Sequence, residues 1–197
     1  MKTHRSSILS VAKCAALAAV FLVGTAVPSY ASNTSATPIG AGQATGGPSP
    51  EAPGQAASVA LQFYLVQLPD GSLNGKATLT SADGSVQVKL KSYAFKDGAL
   101  CAEGLITSLT GTPRFGPGFF FPDGNQVGDT IFFQVYDLGN GHQSDAFIEG
   151  ALPSWFGSPD MNTIIAILAH ALGGDGVAPA EFCRPVVHGN FEVLNPN

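Results

Sequence analysis

The chain has 197 residues, of which 12% are charged, with 24 Gly and 14 Pro. That is half the usual charged fraction with an excess of glycine, which excludes coiled coils and charge-laced helical bundles and favours turn-rich β structure. Nine Lys and Arg face 14 Asp and Glu, for a net charge of −5. No basic run offers phosphates a surface, so a basic nucleic-acid binder is excluded.

Lys2, His4, Arg5 and Lys13 form a positive start, Cys14 to Val27 an apolar run, and Ser29-Tyr30-Ala31 the small-x-small pattern that signal peptidases cut. The 14-residue run falls short of the ~20 apolar residues that cross a bilayer. Residues 1–31 therefore read as a signal peptide. The mature chain is expected to be secreted, or periplasmic where an outer membrane exists, with no integral membrane span. Beyond residue 31, six positive side chains face 14 negative ones, a balance of −8.

Residues 32–57 hold Pro38, Pro48, Pro50 and Pro53 among Gly, Ala, Ser and Thr, with Glu51 as the one charge and no aromatic. Such a stretch has little apolar surface to offset its ordering entropy, so it reads as a disordered linker. A single β domain is expected over 58–197.

Val59, Leu61, Phe63 and Leu65 alternate with Ala60, Gln62 and Tyr64, and Pro69-Asp70-Gly71-Ser72 is a turn. A second strand runs from Lys76 to Thr80, and Asp83-Gly84 is the strongest hairpin signal. Val86, Val88 and Leu90 then alternate with Gln87, Lys89 and Lys91 until Ser92-Tyr93 inverts the pattern, which predicts a bulge or bend there. Lys96-Asp97-Gly98 turns the chain into a strand from Ala99 to Leu109. Thr130–Tyr136 and Asp145–Ala151 read as a hairpin closed by residues 139–143, and Asn190–Leu194 as a short last strand.

One segment breaks this rhythm. Ser158 suits an N-cap, Pro159 the first helical position and Asp160 the positive helix end, while Gly173-Gly174 stops the chain. Met161, Ile164, Ile165, Leu168, Ala171 and Leu172 share one stripe, so a helix over about 158–172 should pack on the sheet. The fold class is mainly β, an antiparallel sandwich or barrel with one helix in the C-terminal half.

The run from Gly98 through Glu149, with Phe133-Gln134-Val135-Tyr136-Asp137 before Gly139-Asn140-Gly141, then Ser144-Asp145-Ala146-Phe147-Ile148, and closing on Gly189-Asn190-Phe191-Glu192-Val193, resembles a β domain of exported bacterial proteins, the post-COAP type. The resemblance covers about the last half of the chain, and residues 152–182 are inserted relative to it. It implies a β fold and brings no catalytic residue, cofactor or partner with it.

Three groups of residues are candidate sites. Cys101 and Cys183 are the two cysteines beyond the leader; in an oxidising compartment they point to one disulfide, against the alternative of two small buried residues. Asp137, Asn140 and Asp145 surround a Gly-rich loop and offer hard oxygen ligands to calcium, although Asp, Asn and Gly are also what a tight hairpin needs. Phe119, Phe120, Phe121, Trp155 and Phe156 form the third group. Three adjacent rings in an extended segment cannot all face one core, so part of this set is expected to be an exposed apolar binding patch, with core packing as the alternative.

Catalytic signals are absent from the sequence pattern. There is no G-x-S-x-G elbow, His142, His170 and His188 stand apart, and no paired Cys or His has zinc spacing. Glu103, Asp129, Asp137, Asp145, Glu149 and Glu192 lie on or beside strands without selecting a pair. The sequence thus favours a non-catalytic module that binds an extracellular partner or plays a structural part there, with no cofactor. The alternatives are a lipocalin-like barrel around a small apolar ligand, or a small enzyme whose site assembles only in three dimensions.

Overall fold

Among the described residues, eight antiparallel strands form one closed barrel in which each strand pairs with its sequence neighbour and the last returns to the first. The computed structural model describes residues 36–48, 58–116, 120–139, 145–172 and 176–194, and the expected signal peptide lies outside them. The strands are β1 (Thr37–Gly46), β2 (Val59–Gln67), β3 (Leu73–Ser81), β4 (Gly84–Lys96), β5 (Ala99–Gly111), β6 (Thr130–Tyr136), β7 (Ala146–Leu152) and β8 (Arg184–Val193), with helix α1 (Met161–Leu172) between the last two. Of the two expected architectures, the barrel is the one formed.

The turn chemistry decides the meander. Asp97 and Gly98 take φ of 50° and 80° at the β4–β5 turn, the left-handed pair that matches strand twist in a two-residue hairpin. At the β2–β3 turn, Asp70 Oδ1 accepts the Ser72 N–H at 2.9 Å and its hydroxyl at 2.6 Å. The β4–β5 ladder shifts register between Leu90 and Ser92, where the alternation inverts in sequence.

Alternation sends one face of every strand into the barrel. An eight-stranded barrel leaves an interior just wide enough for side chains to fill, and aromatic rings fill this one. Phe63 lies 5.2 Å from Phe133 and 5.8 Å from Phe191, and Phe147 lies 5.7 Å from Phe191, centroid to centroid. Leu61, Leu79, Val86, Leu100 and Ile131 complete the lining and are almost wholly withdrawn from water.

The principal correction concerns the expected linker. Residues 37–46 within it are strand β1, paired with β2 on one side and β8 on the other. The glycines that suggested a tether are what the crowded lumen requires. A Cβ on Gly42 would stand 2.6 Å from the Asn190 carbonyl oxygen and 2.7 Å from the Phe191 ring, and one on Gly46 would stand 2.7 Å from the Phe147 ring. Small residues in β1 complement large rings on β7 and β8, so the strand contributes its backbone ladder rather than apolar bulk.

Helix α1 packs on the outside of the wall. Met161, Ile164 and Ile165 are buried against Ala99, Cys101, Tyr136 and Ala146. The helix begins three residues later than expected, because Asp160 caps it: its Oδ1 accepts the Thr163 N–H at 2.9 Å and its carbonyl that of Ile164 at 3.0 Å. Ser158 instead accepts a hydrogen bond from Lys91 Nζ at 3.2 Å. Strand β8 begins at Arg184, earlier than the expected Asn190: its first residues alternate in burial, but a charged side chain, Arg184, takes a buried position and the apolar Pro185 and Val187 take exposed ones, so no apolar–polar alternation marks them in the sequence.

Candidate functional site

Trp155 and Phe156 stand on a single 3-10 turn, Ser154–Phe156, directly after β7. Neither ring is covered: Trp155 is 71% exposed and Phe156 44%, with Phe120 alongside at 40%. Their rings nevertheless touch one another. The Trp155 centroid lies 6.2 Å from Phe120 and 5.9 Å from Phe156, inclined at 62° and 60°. The result is an angled aromatic surface facing water.

Buried polar groups hold this surface in place. Asp129, at the entry to β6, is 4% exposed, and its carboxylate joins two loops: Oδ1 accepts the Ser154 N–H and Oδ2 that of Gln126, each at 2.8 Å. The loop bearing Phe120 is pinned by Asn125, whose Oδ1 accepts the Phe115 N–H at 2.6 Å. Phe115 and Phe121 enter the core at 2% and 3% exposure. Thus of the five aromatics expected to form a patch, Phe120, Trp155 and Phe156 come together at the surface, Phe121 anchors their loop from inside, and Phe119 lies outside the described residues. Asp129 and Asn125 carried no sequence signal, since each is an isolated polar residue in a turn-rich stretch.

Asp137 and Asp145, two of the three candidate calcium ligands, direct all four carboxylate oxygens at backbone N–H groups. Asp137 accepts from Gly139 and Val193 at 3.0 and 3.1 Å, and Asp145 from Leu138 and Phe191 at 3.1 and 2.7 Å. The third, Asn140, lies outside the described residues. The two carboxylates bear on a specific problem of the fold. Strands β7 and β8 pair at Ala146↔Pro185 and Phe147↔Arg184, while β1 pairs with the later part of β8 on its other side, so the later N–H groups that face away from β1 need acceptors that the β7 ladder does not supply. The β6–β7 hairpin provides them. Among the described residues no group of three His, Cys, Asp or Glu side chains is placed to hold a metal ion.

The expected disulfide is not formed, and Cys101 and Cys183 are both buried thiols. Each sulfur has its own local hydrogen bonds. Cys101 Sγ accepts from Gln134 Nε2 at 3.5 Å, and Cys183 Sγ points at the Ala178 and Pro179 carbonyl oxygens, at 3.9 and 3.5 Å. Burial pushes the Cys101 thiol up from its ordinary pKa. Two side chains of β6 fasten the end of the 152–182 segment to the sheet instead. Gln134 Oε1 accepts the Ala178 N–H at 3.1 Å, and the Tyr136 hydroxyl donates to the Ala178 carbonyl at 2.7 Å.

Glu149 and Glu103 are two further buried carboxyl groups. Glu149, on β7, lies two residues from each of the lumen residues Phe147 and Ala151 and so shares their inward face, where it meets Arg184. Arg184 Nε lies 3.0 Å from both carboxylate oxygens, Nη2 lies 2.9 Å from Oε1, and Nη1 donates to the Gly47 carbonyl at 3.0 Å. Burial raises the Glu149 pKa, opposed by the guanidinium. Glu103, on β5, faces outward beneath α1. Ser92 donates to its Oε1 at 2.9 Å and accepts the Met161 N–H at 2.6 Å, while Oε2 is buried with no hydrogen-bond partner among the described residues. Burial raises the Glu103 pKa, and Ser92 and Lys91 oppose that rise. The two carboxyls lie on opposite faces of the wall and cannot act on one substrate bond.

No helix among the described residues is long and apolar enough to cross a membrane. Compared with known proteins, the chain matches no family model, no curated protein and no solved structure.

Proposed function

We propose that the chain is an exported, non-catalytic binding module whose contact surface is the cluster of Phe120, Trp155 and Phe156. The observation that carries this reading is the exposure of Trp155, 71%, on a turn that the buried Asp129 carboxylate holds fixed. A rigid exposed tryptophan offers a large apolar area at small entropic cost, and each Å² of it removed from water contributes about 25 cal/mol. The grouping with post-COAP-type domains, carried by the Gly98–Glu149 run, belongs to the same proposal and adds no catalytic residue.

The reading as a barrel around a small apolar ligand has less support, because the rings of Phe63, Phe133, Phe147 and Phe191 meet in the lumen. The enzyme reading has less still, since Glu149 is tied to Arg184 and Glu103 lies under α1. The test is co-sedimentation of purified protein with cell envelopes of the producing organism. Wild-type protein should sediment, and the Trp155→Ala/Phe156→Ala variant should be retained at least tenfold less with an unchanged urea midpoint. Equal retention of the two would overturn the proposal.

A further inference from the structure

Lys76 on β3 and Lys89 on β4 stand directly opposite each other in the ladder. Both are exposed and on the outer face, since their neighbours Ala77 and Val88 point into the barrel. Like charges so placed, on strands about 4.8 Å apart, destabilise a sheet. Among the described residues neither lysine has a compensating carboxylate; the ion pairs there are Lys96–Asp97 and Arg184–Glu149. Four of the six positive side chains beyond residue 31, Lys76, Lys89, Lys91 and Lys96, fall on β3 and β4 of a chain whose balance there is −8. A repulsive pair kept on an acidic protein calls for a negative partner from outside.

The surface between the two lysines is a groove of about 210 Å³, lined also by Asn74, Thr78, Gln87 and Thr107. Its polar groups are amides and hydroxyls, the groups that exchange hydrogen bonds with hydroxyl-rich ligands. Tyr64 on β2 stands in register beside Lys76, so an aromatic ring and two ammonium groups form one row across three strands. The groove is smaller than the roughly 300–1,000 Å³ of pockets that enclose a whole drug-sized ligand. It fits one unit of a chain that continues beyond it.

We propose that this groove on the outer face of β3 and β4 binds an acidic polysaccharide, with Lys76 and Lys89 receiving carboxylates or sulfates carried on neighbouring sugar units. Asn74, Thr78, Gln87 and Thr107 meet the sugar hydroxyls. The site is built from other residues than the aromatic cluster and does not depend on it. A planar anionic bilayer cannot enter the groove, and a nucleic acid would find one ring where base stacking uses several.

The test is affinity electrophoresis of the full chain in gels containing polygalacturonate, dextran sulfate or uncharged dextran. The wild-type protein should be retarded by one or both acidic polymers and not by dextran, with retardation falling as salt is raised. Lys76→Gln/Lys89→Gln should weaken binding at least tenfold, whereas Lys96→Gln with Lys91→Gln, the same change in net charge, should leave most of it. Trp155→Ala should bind these polymers as wild type does, which keeps failure of this site distinct from failure of the aromatic surface. Equal retardation of the Lys76/Lys89 double variant, equal retardation by dextran, or binding to phosphatidylglycerol vesicles or single-stranded DNA in place of both acidic polymers would overturn the proposal.

Discussion

Arg184, the first residue of β8, grips Glu149 on β7 inside the barrel, with Nε 3.0 Å from both carboxylate oxygens and Nη2 2.9 Å from one. The guanidinium also holds the Gly47 carbonyl just past β1. One side chain thus ties together the strands on both sides of β8 where the β7–β8 ladder is shortest. Replacing Glu149 removes the carboxylate counter-charge that Arg184 Nε and Nη2 hold inside the barrel. Glu149→Gln should therefore cost about 3–5 kcal/mol in urea unfolding, and the Glu149→Leu/Arg184→Met pair clearly less. A single variant as stable as wild type would mean that the contact does not hold the seam.

Strand β1 makes a second prediction. Gly42→Val places a branched side chain where a Cβ alone would be 2.6 Å from a carbonyl oxygen, so it should cost at least about 1–3 kcal/mol by overpacking. Deleting residues 36–48 should abolish the cooperative unfolding transition, because it opens the ring on both the β2 and β8 sides. An unchanged melting temperature after that deletion would restore the reading of this stretch as a tether.

Asp145 bridges the hairpin and β8 by accepting the N–H groups of Leu138 and Phe191. Asp145→Ala leaves those donors without an acceptor and should cost about 1–3 kcal/mol. Hydrogen exchange should then speed up at Phe191 ahead of the β1–β2 amides. If Phe191 stays as protected as before, its protection comes from elsewhere.

The carboxyl under α1 ties stability to pH. Burial holds the Glu103 pKa above its ordinary value of 4.5 in the folded chain. Its contribution is therefore fully present below that ordinary value and is lost as pH rises through the folded pKa, where the native carboxyl must ionise against its burial. Lys91 and Asp160 are the charged groups that act on it, with opposite signs. Glu103→Gln keeps the Ser92 hydrogen bond and removes the ionisation, so it should be more stable than wild type at neutral pH and flatten the fall. Parallel stability curves for the two proteins, measured by urea unfolding from pH 4 upward, would show that Glu103 does not ionise at a cost.

What the sequence made legible was local. The Asp97-Gly98 turn, the alternation of β2 to β4, the irregularity at Ser92 and the stripe from Met161 to Leu168 follow from side-chain periods and backbone preferences, and the structure has them; the hairpin signalled by Asp83-Gly84 is also formed, with Ala82-Asp83 as its loop and Gly84 paired to Ser81 as the first residue of β4. Strand β1 was illegible because its signal lies in other strands: Gly42 and Gly46 are explained by Phe191 and Phe147, far away in the chain. The early half of β8 was missed because its partner is that same glycine-rich strand. Burial-dependent features were hidden for a related reason. Nothing local distinguishes Glu149, facing Arg184, from Glu192 at the surface, and Cys101 and Cys183 suggested a covalent bond where Gln134 and Tyr136 do the fastening. The aromatic set was half legible: adjacency implied that some rings are exposed, and only the loop geometry selects Phe120, Trp155 and Phe156.

Trp155 is the one tryptophan of the chain, so its fluorescence reports on the proposed contact surface alone. The decisive measurement is its emission and its quenching by acrylamide, without and with saturating cell envelopes. Free protein should emit at a long, water-like wavelength and be quenched readily, in keeping with 71% exposure; bound protein should emit at shorter wavelength with quenching reduced severalfold. An emission and quenching constant that stay at their free values while the protein is demonstrably bound would contradict the account, because the contact would then lie elsewhere on the barrel.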